Sequence, residues 1–164
     1  MPNQSFPFHH ESTGPANASV EQVFAFLDDP KALAAHMGES SMMMLGARMS
    51  IDVDADGGRV IGSKVRMQGR VLGVRISLEE VITQRQVPAM KVWETIGTPR
   101  LLAISHYRMG FELTRSGASS LVRVFIDYSL PIKPPGSWLG RLLGAGYARW
   151  CTKQMVTGAA RHFT

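Results

Sequence analysis

From residue 47 to residue 130 apolar and polar positions mostly alternate, the period of half-buried strands. On either side of that stretch the spacing lengthens to that of helices. Residues 5–13 alternate loosely, with Phe6, Phe8 and His10 on one parity, and predict a first strand ended by Gly14-Pro15. Ser19 is placed to cap a helix over 20–28, whose Val20, Val23, Phe24 and Leu27 recur at helical spacing. Asp29-Pro30 ends it and opens a second short helix, PKALAAHM, closed by Gly38. After the apolar but aperiodic run 39–45, six strands follow: 47–53, 60–71, 74–87, 89–96, 101–114 and a last one through Val122, Val124, Ile126, Tyr128 and Leu130. Asp56-Gly57-Gly58, Gly73, Pro88, Gly97-Thr98-Pro99 and Ser116-Gly117 supply the turns. The Glu79-Glu80 pair disturbs the apolar parity of the third of these strands and suggests a bulge.

Residues 137–163 contain no proline and no acidic residue. Leu139, Leu143, Tyr147, Cys151, Met155 and Ala159 recur every four positions, with Leu142, Trp150 and Phe163 beside them, while Arg141, Arg149, Lys153 and Arg161 fall opposite. This predicts an amphipathic helix roughly 40 Å long, with its apolar stripe turned inward. Gly140, Gly144 and Gly146 are expected to allow a kink or a close approach to the sheet.

Six consecutive antiparallel strands with short turns must twist and curl, and one apolar face needs cover. The last helix is the element long enough to supply it. A curved sheet gripping a single helix leaves room beside the helix for a small molecule. The order β-α-α-β6-α, with about seven strands, therefore predicts an α+β fold in which a curved antiparallel sheet wraps a long C-terminal helix, one domain over residues 1–164.

Three segments carry a resemblance to a known family: VFAFLDDP from Val23 to Pro30, VITQRQVPAMKVWETIG from Val81 to Gly97, and YRMGFELTRSGASSLVRVFIDYSLP from Tyr107 to Pro131. With the order of elements from Phe8 to Phe163, they resemble the START/Bet v 1-like (helix-grip, SRPBCC) superfamily, within it the polyketide cyclase/dehydrase and lipid-transport type. The resemblance implies a hydrophobic ligand such as a lipid, isoprenoid or aromatic polyketide, and no cofactor. It also places Met42, Met43 and Met44 near the mouth of the pocket, where flexible thioethers suit an apolar guest.

Strand parity and helix face select the pocket candidates: Met67, Tyr107, Met109, Tyr128, Tyr147, Trp150 and Met155, with Trp93 added against the parity of Met90, Val92 and Ile96. A buried phenol seeks a polar partner, which singles out Tyr107 and Tyr128. Alternation turns His106 away from them, while His10 shares the parity of Phe6 and Phe8. Glu94 is the acid whose burial would signal chemistry, and Tyr107, Tyr128 and Glu94 would form the acid/base set of a cyclase-like enzyme. Binding without catalysis is the expected role, so no catalytic or metal-ligating residue is assigned.

Composition narrows the rest. The single cysteine, Cys151, excludes an internal disulfide and a cysteine zinc site. The start of the chain shows no secretory pattern, and no run of 18 apolar residues occurs, so a cytoplasmic monomer or homodimer is expected. The formal net charge is +5, but the basic residues of the strands alternate with apolar neighbours and form no nucleic-acid motif. A weak membrane-surface contact through the basic side of the last helix is the further option.

Overall fold

The computed structural model of the chain describes residues 4–32, 48–71, 73–134 and 136–164. Its strands are β1 (Phe8–Ala16), β2 (Arg48–Val53), β3 (Lys64–Val71), β4 (Val74–Gln86), β5 (Met90–Arg100), β6 (Tyr107–Ser116) and β7 (Ser119–Tyr128). Among the described residues, helices α1 (Val20–Leu27) and α2 (Gly136–His162) frame them. All seven strands join one antiparallel sheet in the order β1-β7-β6-β5-β4-β3-β2. The expected α+β helix-grip architecture is present. Helical backbone resumes at residues 30–32, and the remainder of the second short helix, like Met42, Met43 and Met44, lies outside the described residues.

Several boundaries differ from those predicted, each for a local reason. Gly14-Pro15 does not end β1: it stays paired with Val122 and Leu121 of β7. Proline is tolerated there because β1 is an edge strand, so its missing donor breaks no second ladder. The expected loop at 97–99 is strand. β5 uses five residues, Ile96 to Arg100, against three of β4, Glu79 to Ser77, and so absorbs Gly97-Thr98-Pro99 as an irregularity. The chain turns instead at 101–106, so the strand expected from residue 101 begins at Tyr107. Likewise β3 starts at Lys64, because residues 54–63 fold into a tight loop around Asp54, whose carboxylate accepts from Ser63 Oγ at 2.5 Å and Lys64 N at 2.7 Å.

α1 begins as its sequence requires. Ser19 Oγ accepts from Gln22 N at 3.3 Å and Gln22 Oε1 accepts from Ser19 N at 3.1 Å, a reciprocal cap. Its buried Val20, Val23, Phe24 and Leu27 join the inner-face core, where Phe24 meets Phe111 edge-on at 5.6 Å. At its C-terminus Asp28 is clamped to the sheet. Arg85 donates two bonds to its carboxylate, at 3.1 and 2.8 Å, and Lys91 Nζ reaches Oδ1 at 2.8 Å and the Asp28 carbonyl at 2.9 Å.

α2 covers the inner face with a stripe different from the one predicted. Ala148, Cys151, Thr152, Met155, Val156 and Ala159 are buried, but further toward the N-terminus the inward positions are Gly140 and Gly144. Leu142 and Leu143 point outward. The reason is distance: a Cβ at Gly144 would lie 2.7 Å from Leu130 Cδ2 and 3.3 Å from the Ala103 carbonyl oxygen, so this half of the helix sits too close for a larger side chain. Further along, a Cβ at Gly14 of β1 would fall 2.7 Å from Val156 Cγ1, and Ser12 Oγ bonds Thr152 Oγ1 at 2.8 Å. Gly144→Leu is expected to cost about 1–3 kcal/mol by overpacking. Gly146→Ala, where nothing lies within 4 Å, should gain up to about 1 kcal/mol of helix propensity. Urea unfolding of the two variants should show midpoints moving in opposite directions.

Candidate functional site

The inner face of the sheet carries Tyr107, Met109 and Phe111 from β6, Tyr128, Ile126 and Val124 from β7, Trp93 from β5, and Leu78, Glu80 and Ile82 from β4. Of the pocket candidates, Trp93, Tyr107, Met109, Tyr128 and Met155 are buried in this one cluster, and Met67, Tyr147 and Trp150 pack partly buried against it. Trp93 faces inward with Lys91 and Thr95 and meets Phe111 edge-on at 6.4 Å. Its neighbours Val92, Glu94 and Ile96 take the other face.

Glu94 therefore does not join the tyrosines, and the acid/base set of Tyr107, Tyr128 and Glu94 is corrected. The acid that does is Glu80, only 5% exposed. It lies in step with Ile76, Leu78 and Ile82, all buried, so the strand keeps its inward parity through the Glu79-Glu80 pair. The irregularity beside the pair arises from extra residues on β5, and a second one, between Ile82 and Gln84, adds a residue to β4. The signal for Glu80 was present as the even-numbered register, hidden because a charged residue in an apolar row reads as a break.

Tyr107 Oη donates a hydrogen bond to Glu80 Oε1. Burial pushes the Glu80 carboxyl up to about 7, against the smaller opposing influences of the Tyr107 bond, the Lys91 charge and the Trp93 side chain. Burial and the adjacent carboxylate hold the Tyr107 phenol well above its ordinary range. One helical turn apart on α2, Tyr147 and Cys151 interact with each other and with Glu80: the thiol raises the Tyr147 phenol, and burial pushes Cys151 up to about 12. Both stay protonated at neutral pH, so Cys151 is an inert thiol there. The result is a cluster of four protonatable groups, two from the sheet and two from the helix, enclosed by aromatic, aliphatic and methionine side chains.

Tyr128 lies opposite Tyr107 in the β6–β7 register. It stacks on Phe8 across the β1–β7 pair at 5.5 Å, and burial raises its phenol. His106 is half-buried at the turn before β6, where its Nδ1 faces Gln4 Nε2 at 3.2 Å. His10 shares the inner-face parity, and burial, with Arg149 nearby, lowers its imidazole. Its neighbour His9 faces outward, bonded to Asp127 Oδ1 at 2.6 Å. Among the described residues, no group of three or more histidine, cysteine or acidic side chains could hold a metal ion. An open groove of about 400 Å³ lies on the other face of the sheet, where Arg66 and Glu79 pair at 2.9 Å beside Gln68, Ser77 and Thr98. Its polar floor suits water better than an apolar guest.

Comparison with known proteins places this geometry. No family model matches the sequence, and no curated protein does. Solved structures match almost end to end. The Thermus thermophilus protein TTHA0849 superposes with a TM-score of 0.68 at 15% identity, over 93% of this chain and 94% of that one. Ara h 8.0201 gives 0.59 at 10% identity, over 93% and 97%. A point mutant of norcoclaurine synthase from Thalictrum flavum, in complex with a transition-state analogue, gives 0.59 at 14% identity, over 96% of each chain. An open seven-stranded antiparallel sheet closed over a long C-terminal helix, shared with these proteins along nearly the full length, gives this chain the Bet v 1-like helix-grip fold.

Proposed function

We propose that the chain binds a small hydrophobic molecule between the inner face of the sheet and α2, with Glu80 and Tyr107 gripping its polar end. Lipids, isoprenoids and aromatic polyketides share the needed chemistry, an extended apolar body with one or a few oxygens. The observation that carries this reading is the buried Glu80–Tyr107 pair. A core needs no carboxyl and phenol at this depth, and their placement costs stability. A neutral Glu80 can donate a proton and the phenol oxygen can accept one, so a guest hydroxyl or carbonyl finds both roles. Residues 1–164 act in this reading as one binding domain in the cytoplasm.

Native mass spectrometry of protein produced in cells should show a retained apolar mass. Tyr107→Phe keeps the ring and removes the hydroxyl, and should weaken uptake of that guest about five- to tenfold, the worth of one hydrogen bond. A chain that neither retains a guest nor takes up a fluorescent apolar probe would remove the proposal.

One observation favours a second reading, an enzyme of the cyclase/dehydratase kind. A carboxyl that titrates near 7 is poised for general acid–base work at neutral pH. The norcoclaurine synthase structure with its transition-state analogue is a case of catalysis on this fold. Glu80 would then move the proton and Tyr107 would orient it. Glu80→Gln separates the two readings: a binder keeps its guest, and an enzyme keeps its guest but loses turnover.

A further inference from the structure

We propose that the N-terminal half of α2, with the segment leading into it, docks the protein on an anionic lipid surface. Two independent observations meet there. The first is exposure. Trp138 and Leu142 are each 64% exposed, Leu143 is 54% exposed, and Ile132, just before the helix, is 92% exposed. Trp138 and Leu142 lie one turn apart, and the same strip of helix continues through exposed Ala145 to Arg149 and Lys153. The close approach at Gly140 and Gly144 is what turns these large apolar groups outward.

The second observation is charge. Residues 129–164 hold five of the 18 lysines and arginines, Lys133, Arg141, Arg149, Lys153 and Arg161, and no aspartate or glutamate. The 128 residues before them carry 13 basic and 13 acidic side chains, so the formal net charge of +5 resides wholly in this last segment. Lys133 and Arg141 flank the apolar group, and both are exposed. An indole and aliphatic side chains ringed by cations match the interface of a bilayer, where tryptophan settles at headgroup depth and lysine and arginine meet acidic lipids. No helix among the described residues is long and apolar enough to cross a membrane, so the contact is peripheral.

The test is co-sedimentation of the full chain with phosphatidylcholine vesicles, with and without phosphatidylserine. Binding is expected with phosphatidylserine, weakening as salt rises. W138S/L142S and K133E/R141E, which alter exposed positions and should leave the thermal midpoint unchanged, are each expected to weaken it about tenfold or more. Trp138 emission should shift to the blue on binding. Equal sedimentation with both vesicle types, or binding retained by both variants, would overturn the proposal. So would a dimer in solution that W138S/L142S dissociates, since the face would then belong to a second copy. Loss of guest uptake with vesicle binding intact would strike the inner-face reading and leave this one standing.

Discussion

Asp28→Ala is expected to lower the free energy of unfolding by about 3–5 kcal/mol, the cost of breaking a buried ion pair from one side. Lys91 is 3% exposed and its ammonium depends on Asp28, bonding both the carboxylate and the carbonyl. Burial lowers the Lys91 ammonium, and Asp28 opposes that shift. Burial also pushes the Asp28 carboxyl up, but the bonds from Arg85 and Lys91 more than offset it and hold it below its ordinary value. Removing the carboxylate therefore strands a buried cation. The same change loosens α1, because Asp28 is its C-cap and Arg85, which bonds it, also lies over the Phe24 ring at 5.4 Å. Adding Lys91→Met to Asp28→Ala should recover most of the loss, since an apolar side chain of similar length needs no counter-charge. Urea unfolding of the two single variants and the double variant measures the coupling. Additive effects would show that the pair is not coupled.

The second large effect is a pH dependence centred on Glu80. Its carboxyl rises from an ordinary 4.5 to about 7 in the folded chain. A folded value above the unfolded one means that the native state holds the proton more tightly. The stability this contributes is complete below about pH 4.5 and is lost as pH rises toward about 7, a change on the order of 3 kcal/mol. Glu80→Gln keeps an acceptor for Tyr107 and cannot ionise, so its stability should pull ahead of the parent chain by that amount between pH 4.5 and pH 8. Other carboxylates, such as Glu79 beside Arg66, shift the opposite way and contribute at lower pH, but they are common to both proteins. Denaturation profiles that stay parallel across this range would mean that Glu80 is charged throughout.

Much of this architecture was legible because alternation reports one bit per residue and the sheet has two very different faces. The inward set Tyr107, Met109, Phe111 and Leu113 could be read directly, as could the Ser19 cap and the turns at Gly73 and Gly117. What stayed hidden had no hydropathic signature. Gly140 and Gly144 pack inward because they are small, so the leucines between them looked like the buried stripe while facing outward. Glu80 occupies a core position with a charged side chain, and a pattern search treats it as noise. Pro15 and Pro99 stay within strands because edge position and a register irregularity spare them a donor, and neither condition is visible before the pairing is known. The candidate site was harder than the fold for one reason: it sets polar groups where the pattern expects apolar ones.

The pairing of β1 with β7 has a temporal consequence. Phe8 meets Tyr128 and Ala16 meets Ser120, partners more than a hundred residues apart in the chain. At ribosomal elongation rates the first strand waits roughly 5–25 s for its neighbour to be synthesised. Until then the β6 edge that β7 will cover has no partner, and the inner face has no α2 over it. The newborn chain thus passes through an interval as an uncovered apolar sheet with its own first strand loose beside it. The segment that ends this interval is the same basic stretch, residues 129–164, that carries the whole net charge of the molecule.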